Sequence, residues 1–194
     1  MWMAWCFALG SVCFLIGPVP AYADLVGTGA DAATFFIGSL LFTAGGALQT
    51  RDAAAGGRAL WWAALIQSAG TLFFNVTTFR ALQVVLADPD YDRLVWRPDA
   101  FGSICFLISG VIAYRASPRH GWWPARGRSG WWQPAVNLLG CVFFGVSAVG
   151  AYVVPSTGSM VDVAVANVNT WLGAACFLAC AVPGLSHSRA AVSS

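Results

Sequence analysis

Six apolar stretches separated by short polar segments run along this chain, at about Trp2–Gly17, Ala32–Gln49, Ala59–Phe79, Ala100–Tyr114, Trp131–Val154 and Val163–Val182. About 20 apolar residues suffice for a helix to cross a bilayer. The second, third, fifth and sixth stretches reach or approach that length, and the first and fourth lean on their flanking residues. The pattern predicts an all-α integral membrane protein with six transmembrane helices.

Each stretch carries the same phrase: a Gly, a small residue, two apolar residues and a Phe. It reads GSVCF from Gly10, GSLLF from Gly38, GTLFF from Gly70, GSICF from Gly102, GCVFF from Gly140 and GAACF from Gly173, where Ala or Cys can stand for the hydroxyl residue. Seven residues after each Gly stands another small residue: Gly17, Gly45, Thr77, Ser109, Ser147 or Cys180. Lipid is as apolar as Leu, so helices in a bilayer associate through close contact and a few hydrogen bonds. Small residues seven apart lie on one helix face and let a neighbour approach. The six glycines are therefore expected at helix–helix contacts, with each Phe filling the groove beside its Gly.

Trp2, Trp62 and Trp132 each precede the motif Gly of an odd-numbered stretch by eight residues, and the even-numbered stretches lack that Trp. A period of this kind marks a supersecondary unit that packs on its neighbours. The unit is a helical hairpin used three times, at about 1–57, 58–120 and 121–183, in a single membrane domain spanning 1–183. Residues 184–194 are small and polar and are expected to form a disordered cytoplasmic tail.

Composition sharpens this picture. The chain is 58% hydrophobic and 9% charged, against roughly 25% charged in soluble domains. It has no Lys and no Glu, and a net charge of +2 gives no basis for nucleic-acid binding. With the N-terminus inside, the inner segments hold seven Arg and one Asp, and the outer segments three Arg and seven Asp. Eight of the ten Trp also fall at the inner ends. Both biases predict cytoplasmic N- and C-termini in the plasma membrane. Ala21-Tyr22-Ala23 resembles a signal-peptidase site, but no Lys or Arg precedes the first stretch, so that stretch is expected to remain as a helix.

A hairpin with G-[ST]-x-x-F in both helices resembles the YrhK-like membrane domain, a two-helix unit of bacterial proteins. The longer arrangement, with GTLFFN, DRLVWRPDA and a fifth stretch led by Trp131-Trp132, is similar to actinobacterial multi-pass proteins that carry it. The resemblance implies an integral membrane location and brings no catalytic residues.

Candidate chemistry is sparse. No Asp, Arg or His lies near the middle of a span, and no nucleophile–base pair, phosphate loop or metal-ligand cluster can be assembled. Neither an enzyme nor a cofactor is expected. The Cys176–Cys180 pair shares a helix face and reads as small hydrophobes. Asp88, Asp90 and Asp92 alternate like the start of a calcium loop, but Arg93 and Leu94 break that pattern, which leaves a solvated loop with Arg–Asp pairing. Pro98-Asp99 reads as a helix start.

The third stretch carries a polar stripe, Gln67, Thr71, Asn75 and Thr78, with Asn137 at the matching place in the fifth and Ser39 and Thr43 in the second. Intramembrane polar residues either join helices or line a solute path. Asn75 is expected to turn towards the second or fifth stretch. Arg115, Arg119, Arg126 and Arg128, interleaved with Trp, are candidate contacts for lipid headgroups. The expected activity is non-catalytic: within the lipid bilayer, the protein acts through helix packing with itself, as a homo-oligomer, or with other membrane proteins. The alternative is a small channel or carrier for a neutral solute, with its path along the third and fifth helices.

Overall fold

The computed structural model describes residues 1–84, 86, 88–117, 119–120, 123–124 and 130–190, without the side chains at 119–120, 123–124 and 186–190. The chain is helical, with α1 at Trp2–Ile16, α2 at Pro20–Val26, α3 at Thr28–Ala53, α4 at Arg58–Ala81, α5 at Arg97–Ala116, α6 at Trp132–Gly150 and α7 at Val163–Ala190. Antiparallel two-residue strands β1 (Arg119–His120) and β2 (Trp123–Pro124) pair between α5 and α6, and β3 (Val153–Val154) pairs with β4 (Ser159–Met160) between α6 and α7. Five helices are long and apolar enough to cross a membrane, with a sixth crossing if α1 and α2, bent by 89° at their junction, count as one.

Several helix boundaries differ from the apolar runs, each for a local reason. The first run stops at Gly17-Pro18, and Pro20 opens α2 at a position where its missing N–H costs nothing. A break at Gly27, with φ of +84°, separates α2 from α3, which starts four residues before the apolar run does. The fourth helix starts before Pro98: a π-helical turn at Asp92–Trp96 leads directly into α5, and the Arg97 N–H reaches the Asp92 carbonyl. A widened turn suits this place, because Pro98 has no N–H and its ring would press on the carbonyl four residues back. The fifth run ends at Gly150, since Val153 and Val154 enter the small hairpin that turns through Pro155 and Gly158.

The last helix continues past Pro183 to Ala190. A Cβ built on Gly184 would lie 2.8 Å from the Ala4 Cβ, so α7 is held against α1 beyond Pro183. Gln133 Nε2 donates to the Cys180 carbonyl at 3.0 Å, which ties α6 to α7 in the turn before that proline. Residues 191–194 lie outside the described residues.

The six long helices form a closed ring in chain order. Each packs on the next, and α7 returns to α1. The motif glycines lie at three of the contacts. A Cβ on Gly38 would come 2.7 Å from the Cys13 Cβ, one on Gly70 2.7 Å from the Phe106 ring, and one on Gly140 2.8 Å from the Phe177 ring. In the other direction, a Cβ on Gly10, Gly102 or Gly173 would come within 3.0, 3.1 or 3.2 Å of the carbonyl oxygen of Gly38, Gly70 or Gly140. The second small residue of each phrase works in the same pairs. Gly17 meets Phe35 and Gly45 meets Phe7, while Thr77 donates to Val95, Ser109 to Ala63, Ser147 to Ala166 and Cys180 to Gln133, each at a backbone carbonyl.

The contacts thus sort the helices by the residue before the motif Phe. Helices with Cys there (α1, α5 and α7) each place their Gly on a partner's Gly carbonyl, and α3, α4 and α6 supply those carbonyls. The Trp spacing groups α1 with α4 and α6, whereas the packing groups it with α5 and α7.

The six motif phenylalanines meet on the axis of the ring. Phe14, Phe42, Phe74, Phe106, Phe144 and Phe177 are all buried and form the core with Cys141 and Ala174. Phe144 is the hub, with ring centroids 6.0 Å from Phe14, 5.9 Å from Phe74, 6.1 Å from Phe106 and 5.3 Å from Phe177. Leu9, Val12, Ile37, Leu40, Leu72, Ile104, Val142 and Val168 are exposed on the outward faces. The protein is apolar inside and out, as a helix hydrophobic all round its circumference is when it meets lipid.

Candidate functional site

The polar stripe of α4 divides between two uses. Towards α3 it forms a ladder of three side-chain hydrogen bonds: Ser68 with Thr50 at 2.8 Å, Asn75 Nδ2 to Thr43 Oγ1 at 2.9 Å, and Thr78 with Ser39 at 2.9 Å. The hydroxyls also bond to backbone carbonyls of their own helices, Thr43 to Ser39, Thr50 to Gly46 and Thr78 to Phe74. Asn75 therefore faces the second long helix, although its Oδ1 is buried without a partner. Thr71, almost fully buried, donates to Ser68 of its own helix. Thr50 and Ser68 are missing from the sequence-derived stripe; each stands seven residues along its helix from the polar partner above it, Thr43 or Asn75, and that spacing was their one visible signal.

Interhelical hydrogen bonds of this kind contribute about 0.6 kcal/mol on average in membranes. Asn75→Leu should accordingly lower thermal stability in detergent by a small amount, about 0.6 kcal/mol, because Thr43 keeps its bond to Ser39. A melting curve of the purified variant checks this. Unchanged stability would remove Asn75 from the set of residues that join helices.

Gln67 belongs to a different place. It is buried, and its Oε1 accepts from Ser109 at 3.3 Å. Together with Asn137 it lines a cavity of about 470 Å³ at the Arg-rich end of the ring. All six long helices contribute, among them Ala4 and Phe7 of α1, Gln49 of α3, Ala63 of α4, Ala113 of α5, Gln133 of α6, and Phe177 and Cys180 of α7. Phe177 belongs to the aromatic layer, so the cavity ends where that layer begins. Gln49 and Gln133 were not legible as site residues, since each is a single amide near the end of an apolar run.

The remaining candidates are dispersed. Arg115 is exposed in the last turn of α5; Arg126 and Arg128 lie outside the described residues, and so does the side chain of Arg119. At the opposite end, Asp90 pairs with Arg93 at 3.3 Å and Asp92 with Arg97 at 2.8 Å. Cys176 packs its Cβ on Gly140, and Cys180 Sγ lies 3.4 Å from the Gln133 carbonyl. Among the described residues, no group of three or more His, Cys, Asp or Glu side chains is placed to hold a metal ion. No family model, curated protein or solved structure matches this chain.

Proposed function

We propose that this chain is a non-catalytic, multi-pass plasma-membrane protein that acts by packing with further copies of itself or with other membrane proteins. In this reading the ring is three similar helical hairpins of the YrhK-like kind, α1 with α3, α4 with α5 and α6 with α7, the two helices of the first exchanging contact roles relative to the others, with both termini in the cytoplasm. The seven-to-three Arg bias and the Trp belt support that orientation. The single observation that carries the functional reading is the aromatic layer. Six phenylalanines, one from each long helix, fill the axis along which a solute would have to pass. The polar ladder between α3 and α4 supports the same reading, since its side chains spend their hydrogen bonds on neighbouring helices. An apolar groove of about 400 Å³ on the outer surface, lined by Ile104, Leu107, Val142 and Gly145, supports lateral packing.

The alternative, a path for a neutral solute along the third and fifth helices, predicts flux. Liposomes carrying the pure protein should admit glycerol and urea no faster than empty liposomes, as read by light scattering after an osmotic step. A protein-dependent rate would favour the alternative and overturn the packing reading. Two differently tagged copies, co-expressed, should co-purify if self-association is the mode of action.

A further inference from the structure

We propose that the cavity at the Arg-rich end is a binding site for a small uncharged molecule with an apolar body and an N–H or O–H group. Its volume of about 470 Å³ falls within the roughly 300–1,000 Å³ of small-molecule sites, which are mostly apolar with a few placed polar groups. The walls follow that pattern. Ala4, Phe7, Ala63 and Phe177 supply an apolar surface closed at its inner limit by the aromatic layer, and Gln49, Gln67 and Asn137 supply amides from three helices. A buried amide is costly unless it is satisfied.

The amides also define the ligand's chemistry. Gln49 Oε1 is buried and has no hydrogen-bond partner, and the last torsion of a Gln side chain is soft enough to turn that oxygen into the cavity. A ligand N–H or O–H there would supply the missing donor. Asn137 Nδ2 is engaged only by a long contact of 3.9 Å to the Cys141 sulfur, which leaves it able to donate to a ligand oxygen. The charged lining residue Asp52 is largely exposed and already lies 3.4 Å from Arg51. The interior thus presents neutral donors and acceptors, which disfavour an ion and suit an uncharged ligand.

The test uses the full chain in nanodiscs and a panel of uncharged aromatic amides, anilides and phenols, each paired with its N- or O-methylated analogue. At least one member should bind saturably at one molecule per chain. Methylation of the donor should weaken that binding at least tenfold, and Gln49→Leu should do the same. Ala113→Phe, which fills the cavity from α5, should abolish binding while the protein still elutes as the wild type does. Failure of the whole panel to bind saturably, as for a cavity holding water only, would overturn the proposal. So would binding that is indifferent to both substitutions.

Discussion

Gly140→Val should be among the most damaging single substitutions in this protein. A lone Cβ at Gly140 would already stand 2.8 Å from the Phe177 ring and 3.0 Å from the Cys176 Cβ. Val adds two further methyl groups and a stiff χ1. Phe177 cannot swing aside, because its ring is held at 5.3 Å by Phe144, 5.9 Å by Phe42 and 5.7 Å by Phe106. Overpacking of this kind costs about 1–3 kcal/mol or more, which for a chain of this size lowers Tm by several degrees. Gly29→Val is the matched control, since a Cβ there meets nothing within 4 Å. Thermal stability of the two detergent-solubilised variants should separate clearly; equal losses would show that the close approach of α6 and α7 does not hold the fold together.

Phe144→Ala should have the next largest effect. In a bilayer the transfer term that penalises large-to-small substitutions in water-soluble cores largely vanishes, because lipid is as apolar as the core. The cavity term remains. A void on the order of 100 Å³, at roughly 24 cal/mol per Å³, costs about 2 kcal/mol. Phe144 contacts rings from α1, α4, α5 and α7, so its loss should loosen the whole ring, whereas Phe36, which meets Phe79 alone at 5.6 Å, should cost less when truncated. Comparative melts of Phe144→Ala and Phe36→Ala check this ranking. The same variant also bears on the proposed seal: if the aromatic layer closes the axis, thinning it is the change most able to raise glycerol flux.

The helices and their contact faces were legible in the sequence because membrane packing rests on features that local spacing preserves. A Gly with a small residue seven positions on marks a face whatever its partner is, and the Phe four positions on marks the filler of that face. The pairing roles were less legible. Trp2, Trp62 and Trp132 suggest equivalence of the odd helices, but they stand near helix ends, where an indole's position answers to the interface between lipid and water. The Cys before Phe14, Phe106 and Phe177 is the residue that records which side of a pair each helix occupies. Helix ends were misread wherever hydropathy and hydrogen bonding diverge, as at Thr28–Asp31 and Asp92–Trp96, where polar residues complete helical turns. The cavity was invisible for a different reason: Gln67 and Asn137 stand out in the sequence only as part of a stripe, and Gln49 and Gln133 join them only once the ring closes.

Closure of the ring is the claim on which the aromatic layer, the cavity and the proposed function all depend. It is tested most directly at the contact between the first and last long helices, whose residues are farthest apart in the chain. With Ala4→Cys and Gly184→Cys combined, mild oxidation in native membranes should produce a disulfide within one chain, found by mass spectrometry as a peptide joining positions 4 and 184, because the Cβ positions nearly touch. If that peptide is missing while a Phe7→Cys/Gly45→Cys pair cross-links under the same conditions, the helices form an open array and the account fails.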